Sequence, residues 1–98
     1  MTITKEKNDS ELTIILEGRL DTMTAPELEA ELNTEIKDID ELVFDFSKLD
    51  YISSAGLRVL LSAHKAMMKK GGMKITGVNE IVQEVFEVTG FADILTIE

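Results

Sequence analysis

Hydrophobic residues alternate with more polar ones near the start of the chain, and this period of two predicts β-strands. Leu12, Ile14 and Leu16 give the clearest example. Further along, hydrophobic residues return every three or four positions, as they do on the buried face of a helix. The pattern predicts strands at 2–7, 11–17, 41–46 and 73–77, helices following residue 24, at 55–69 and ending near residue 90, and a helical turn with a last strand at 91–97.

Short local signals mark the ends of the helices. Thr24 begins the segment Thr-Ala-Pro-Glu, which predicts a capping box with proline in the first helical turn. Gly71 and Gly72 predict the end of the second helix. Asn79 is placed to cap the third helix with its side chain. Three separate helices therefore divide the predicted strands.

The predicted order β-β-α-β-α-β-α-β defines an α/β fold with a mixed sheet, in a single domain at 1–98. The first two strands form an antiparallel hairpin, whereas strands separated by one helix run parallel through right-handed crossovers. Because several strands alternate, we expect one sheet face to be thinly covered and the helices to lie mainly on the other.

This topology places two polar loops at one edge of the sheet. The predicted loop from Gly18 to Thr22 and the loop from Tyr51 to Ala55 both leave the carboxyl ends of parallel strands. Ligands and partners of open α/β sheets usually bind at that edge. We therefore expect four polar residues to be neighbours there: Asp21, Thr22, Ser53 and Ser54.

Two adjacent hydroxyls stand where a strand gives way to a helix. Ser53 and Ser54 precede Leu57, the first residue of the helical hydrophobic repeat. Free backbone N–H groups and the positive end of the helix dipole favour an oxygen at such a place. The serines are either a simple helix cap or the site of a phosphoryl group, and the pattern alone leaves both open.

Composition and charge narrow the classes of partner. The 98 residues carry a formal charge of −9 with no cysteine and one histidine, so neither a disulfide nor a zinc site is expected. An acidic surface repels phosphate backbones and anionic lipids, which argues against nucleic acid and membrane partners. It suits a protein partner with a basic groove, or serves solubility alone. No cofactor is expected.

Two enzyme-like interpretations compete. A hydrolytic triad would need Ser54, His64 and Asp21, but His64 lies about 15 Å further along the same helix. A phospho-aspartate receiver would use Asp45 or Asp50, yet the chain lacks the paired acidic residues after its first strand that such a magnesium site needs. Both are disfavoured, so the protein is not expected to be an enzyme.

Two motifs in this order resemble the STAS-domain anti-sigma factor antagonists of bacteria. Gly18-Arg19-Leu20-Asp21 follows a strand, and some thirty residues later Asp50 to Leu57, reading Asp-Tyr-Ile-Ser-Ser-Ala-Gly-Leu, opens a helix. The likeness spans nearly the whole chain, including the N-terminal hairpin. It implies a STAS-like mixed β-sheet and a regulatory protein of the bacterial cytoplasm.

The resemblance implies a phosphorylation switch. The unphosphorylated domain binds an anti-sigma factor serine kinase and releases a sigma factor, that kinase phosphorylates it, and a serine phosphatase of the PP2C type reverses the change. Alignment on Gly56 and Leu57 puts the acceptor at Ser54, with Ser53 as the alternative because it stands where the family motif has Asp. The implied partner-binding residues are Asp21, Thr22, Ser53, Ser54, Ala55, Gly56 and Arg58.

Two further points stay open at this stage. A ligand-sensing or scaffold STAS module without a phospho-switch is the alternative function. A monomer is expected, with a dimer as the alternative.

Overall fold

In the computed structural model, which describes residues 1–98, five strands form one sheet in the order β1-β2-β3-β4-β5. Strands β1 and β2 are antiparallel, and every other neighbouring pair is parallel. The predicted fold class and element order are confirmed. The strands are β1 Thr2–Asn8, β2 Glu11–Leu20, β3 Glu41–Ile52, β4 Met73–Thr76 and β5 Thr96–Ile97, and the helices are α1 Ala25–Glu35, α2 Ser54–Met67 and α3 Glu80–Thr89. Short 3-10 turns lie at Ile36–Asp38 and Phe91–Asp93.

One face of the sheet carries the hydrophobic core. Ile14 of β2 pairs with Phe44 of β3, which pairs with Ile75 of β4, and all three side chains are fully buried. The next row on the other face is only half-buried at Thr13 and Val43. Fully burying a side chain of this size contributes about 1.5–3 kcal/mol, so the alternating pattern fixes which face turns inward.

The strand order determines on which face of the sheet the three helices lie. Each crossover after β2 advances by one strand in the same direction, and right-handed crossovers then place every helix on the same face. The hairpin is joined to this layer by Lys5 of β1, whose ammonium lies 2.6 Å from Glu31 of α1. No helix of this structure combines the length and the apolar character needed to cross a membrane.

Strands β2 and β3 run further than the sequence pattern predicted. The predicted ends at residues 17 and 46 are wrong, because β2 continues to Leu20 and β3 to Ile52. Two shifts of register, at 15–17 and 18–19 of β2, each give β3 one extra residue. Such bulges let a strand continue through exposed polar positions. Residues 18–22, predicted as a loop, are three strand residues followed by a turn.

The helix ends agree with their local signals in two cases. Asn79 caps α3, since its side-chain oxygen accepts a hydrogen bond from the Val82 N–H at 2.8 Å. Gly90 ends that helix with a φ of +82°, a conformation that glycine adopts without steric cost. The second helix begins one residue earlier than predicted, at Ser54, and ends at Met67, two residues before the predicted end.

Candidate functional site

The carboxyl ends of β2 and β3 lie side by side and bring two segments together. Leu20 pairs with Ile52, and the Ser53 N–H donates to the Leu20 carbonyl at 2.9 Å. The turn after β2 therefore stands next to the first turn of α2. We call this region, residues 19–24 and 51–58, the Ser54 corner.

Ser54 occupies the exposed start of α2. It is the first helical residue, and its side chain is open to solvent. The backbone N–H groups of Ser54, Ala55 and Gly56 donate no hydrogen bond within the chain, and the first turn holds no acidic residue. The helix thus presents three free donors and the positive end of its dipole at this hydroxyl.

Ser53 behaves differently from its neighbour. It holds the N-cap position with extended backbone, but its hydroxyl forms no cap hydrogen bond. The oxygen is buried and has no hydrogen-bond partner. The interpretation of the two serines as a capping pair is therefore wrong for Ser53, because its side chain points into the packed corner.

Replacing Ser53 with alanine should change the free energy of unfolding by less than about 0.5 kcal/mol. A working serine cap contributes about 1 kcal/mol, whereas a buried hydroxyl without a partner offers no such gain. Urea unfolding measures this difference. The matched control is Asn79→Ala, which removes a real cap and should cost about 1 kcal/mol. Equal losses in the two variants would contradict the structural interpretation of Ser53.

The turn after β2 is held by the side chains of Asp21 and Thr24. The carboxylate of Asp21 accepts hydrogen bonds from the N–H groups of Met23 at 3.0 Å and Thr24 at 3.2 Å. The Thr24 hydroxyl accepts from the Asp21 N–H and donates to the Arg19 carbonyl, both at 2.9 Å. The predicted capping box is wrong, because this hydroxyl is turned back to the strand end and does not cap α1.

Asp21 carries a charge at this corner. Partial desolvation opposes ionisation, but the hydrogen bonds from Thr24 and Met23 and the nearby Arg19 outweigh it and lower the pKa of the Asp21 carboxyl. The Arg19 Nε lies 3.7 Å from the second carboxylate oxygen. Asp21 is therefore an anion at neutral pH, and the hydrogen bonds of the turn fix the orientation of its carboxylate.

Arg19 also stacks on Tyr51, a contact that sequence reasoning missed. The guanidinium carbon lies 4.3 Å from the centre of the Tyr51 ring. The two residues are register partners across β2 and β3. Since that register depends on two bulges, no local signal in the sequence could have paired them. The contact joins the Asp21 turn to the strand that leads into α2.

Gly56 sets how closely α2 approaches the strand ends. A Cβ atom at this position would lie 2.7 Å from Leu20 Cγ and 2.9 Å from Ile52 Cγ1, closer than atoms normally pack. Both of those side chains are fully buried and have little room to move. Glycine is therefore required for the helix to sit at this depth, which in turn positions Ser54.

A shallow groove of about 270 Å³ runs between α1 and α2 beside Ser54. Thr22, Glu29, Ala55 and Arg58 line it. Arg58 is exposed and forms no ion pair in the chain. Met23, at the tip of the neighbouring turn, is 86% exposed. The structure thus brings together the predicted partner-binding residues and adds Met23, which the sequence analysis did not select.

The histidine and the receiver aspartates of the competing enzyme interpretations lie outside the Ser54 corner. His64 faces a second cavity of about 350 Å³ together with Gly72 and Met73, at the start of β4. That is the opposite edge of the sheet from Ser54. Asp45 is half-buried, and hydrogen bonding to Ser47 lowers the pKa of its carboxyl. The structure holds no group of three or more His, Cys, Asp or Glu residues arranged to bind a metal ion.

The fold and the comparisons define the class of this protein. The family model of the STAS domain matches residues 2–98, and the chain therefore belongs to the STAS domain family. The resemblance inferred from the two motifs is confirmed.

Relatives and solved structures agree with this membership. BtrV of Bordetella bronchiseptica is 38% identical over 99% of this chain and 85% of its own length. The anti-sigma-B factor antagonist of Listeria monocytogenes is 28% identical over 96% of this chain and 84% of its own length. An anti-sigma factor antagonist from Mycobacterium paratuberculosis has the same fold, with a TM-score of 0.89 at 24% identity over 98% of this chain and 83% of its own.

Proposed function

We propose that this protein is an anti-sigma factor antagonist controlled by phosphorylation of Ser54. In its unphosphorylated form it binds an anti-sigma factor serine kinase and so releases a sigma factor. The kinase transfers the γ-phosphoryl group of ATP to the Ser54 Oγ, with loss of the hydroxyl proton and release of ADP, and the complex breaks. A serine phosphatase of the PP2C type restores the binding form. The exposed Ser54 hydroxyl, at the start of a helix that stands next to the turn of the ionised Asp21, is the observation that carries this proposal.

The accessibility of the two serines favours Ser54 as the acceptor. A kinase must bring the γ-phosphorus of ATP within bonding distance of the attacking oxygen. The Ser54 side chain is exposed, whereas the Ser53 oxygen is buried. Modification of Ser53 would first require the corner to open.

The proposed partner surface has two kinds of residue. Asp21, Thr22, Ala55 and Arg58 surround Ser54 and are available for contact. The other two members of the predicted set are less accessible: Gly56 is buried and sets the depth of α2, and Ser53 has a buried hydroxyl and holds the corner only through its backbone N–H, which donates to Leu20. With a net charge of −9, this protein is attracted to a partner whose binding groove is basic.

The phosphoryl group acts at the surface and leaves the fold intact. It adds about −1.5 to −2 charges at pH 7, and a helix N-terminus stabilises such a charge. In the complex the same charge would have to lose its water beside the anionic Asp21. SpoIIAA, a related antagonist, has been solved unphosphorylated and phosphorylated, with TM-scores to this chain of 0.79 and 0.77. That similarity supports a switch without refolding.

Replacing Asp21 with asparagine should weaken kinase binding by about tenfold while preserving the turn. The amide oxygen of asparagine can accept the same hydrogen bonds from Met23 and Thr24, so only the charge is lost. Isothermal titration with the cognate kinase measures the affinity. Asp21→Ala is the matched control, because it removes both the charge and the turn and should also lower stability.

Asp21→Asn and the wild type should also differ in how their stability depends on pH. Because the folded-state pKa of Asp21 is lowered, its ionised form stabilises the protein above the ordinary aspartate pKa. That contribution is lost as the pH falls from the ordinary value through the lowered one. Asp21→Asn should therefore show a flatter stability profile than the wild type in this window. Unchanged affinity and an unchanged profile would remove Asp21 from the proposed interface.

The decisive experiment uses the ATP-dependent serine kinase encoded nearest this gene. Incubation with ATP should add one phosphoryl group, mapped to Ser54 by mass spectrometry and absent in Ser54→Ala. The modification should resist hydroxylamine, which cleaves an acyl phosphate on Asp45 or Asp50, and the phosphatase should remove it. If no phosphate is transferred while the kinase still binds, the scaffold or ligand-sensing alternative takes its place.

A further inference from the structure

Arg58 is an unpaired cation one helical turn beyond Ser54. Both residues are exposed on α2, and residues four apart on a helix lie on the same face with about 5–6 Å between their Cβ atoms. Helical side chains lean toward the N-terminus, so the Arg58 side chain extends over the turn that begins with Ser54. Its guanidinium has neither an ion pair nor a hydrogen bond within the chain.

The other charged groups near Ser54 neither pair with Arg58 nor offer a second free cation. Arg19 is the second cation there, but it is already stacked on Tyr51 and lies 3.7 Å from the Asp21 carboxylate. Glu29 faces Arg58 across the groove without forming an ion pair with it. A new anion on Ser54 would therefore be the nearest strong acceptor on the same helix face.

We propose that Arg58 holds the phosphoryl group of Ser54 within the same helix. This inference rests on the proposed function, since it requires phosphorylation of Ser54. Arginine binds phosphate oxygens with two parallel N–H donors, and the free N–H groups of Ser54, Ala55 and Gly56 lie on the remaining side. The phosphoryl group is thus held between the Arg58 guanidinium on one side and the free backbone N–H groups on the other.

This arrangement gives one modification two effects on the partner surface. The phosphoryl group adds negative charge, and it also withdraws the Arg58 cation that lines the groove. A partner contact made by Arg58 in the unmodified protein is therefore lost at the same moment. The same clamp keeps the modified helix N-terminus ordered.

The test uses protein with phosphoserine incorporated at position 54 during synthesis, so that no kinase is needed. Phosphorus NMR then follows the second ionisation of the phosphoserine, whose ordinary pKa is about 6. The Arg58 clamp stabilises the dianion, so Arg58→Gln should raise this pKa by about 0.5 unit relative to the wild type. Arg58→Lys should keep part of the difference, because it retains the charge without the paired donors.

Lys65→Gln is the matched control, because it removes a positive charge from the same helix at a distance of two further turns. It should leave the phosphoserine pKa unchanged. An identical pKa in wild type and Arg58→Gln would overturn the clamp. Failure of the kinase to modify Ser54 would instead overturn the proposed function, and the two results are read from separate experiments.

Discussion

Replacing Ser54 with glutamate should weaken binding to the cognate anti-sigma factor kinase by about 100-fold, whereas alanine should keep the affinity within about threefold. The size follows from placing an unpaired charge in an interface, which costs about 2–5 kcal/mol. Ser54 is exposed at the start of α2, so neither substitution disturbs buried packing. The loss would therefore come from the interface, with the folded structure unchanged.

Isothermal titration of each variant against the kinase gives the two affinities, and circular dichroism checks that both variants are folded. Ser62→Glu is the matched control, since Ser62 is exposed on the same helix eight residues further along. It adds the same charge outside the Ser54 corner and should change the affinity by less than about threefold at physiological salt. Wild-type affinity in Ser54→Glu would refute the proposed switch.

Replacing Gly56 with alanine should lower the free energy of unfolding by about 1–3 kcal/mol, although alanine ordinarily favours helices. The added methyl group would meet Leu20 and Ile52, which are fully buried where the two strands end. To relieve these contacts, α2 must lift away from the sheet. That movement displaces Ser54 relative to Asp21, so kinase binding should also weaken.

Urea unfolding with an unchanged m-value measures the loss of stability, and the control is Ser62→Ala on the exposed side of the same helix. That substitution should stay within about 0.5 kcal/mol of the wild type or raise stability slightly. A Gly56→Ala variant as stable as the wild type would show that α2 is free to shift and that glycine does not set its depth.

The element order could be predicted from the sequence because it depends on period and on strong local signals. The alternation around Leu12, the Asn79 cap and the glycine at the end of α3 each act within a few residues. The placement of the Asp21 turn next to the first turn of α2 followed from topology, since parallel neighbouring strands end at the same edge of a sheet.

The missed features depend on contacts between distant segments. Strands β2 and β3 continue past their predicted ends because two bulges in β3 keep the ladder paired through polar residues. Thr24 looked like a helix cap, but its hydroxyl bonds the end of β2, a choice that only the folded turn offers. The stacking of Arg19 on Tyr51 depends on the same shifted register.

The Ser54 corner is framed almost entirely by backbone bonds and buried groups: the Ser53 N–H to Leu20 carbonyl bond, the Asp21 turn and the contact beneath Gly56. The outward side chains of Thr22, Met23 and Arg58 contribute nothing to that frame. On the partner surface proposed above, these few positions can therefore vary, and change which partner is bound, without altering the scaffold beneath them.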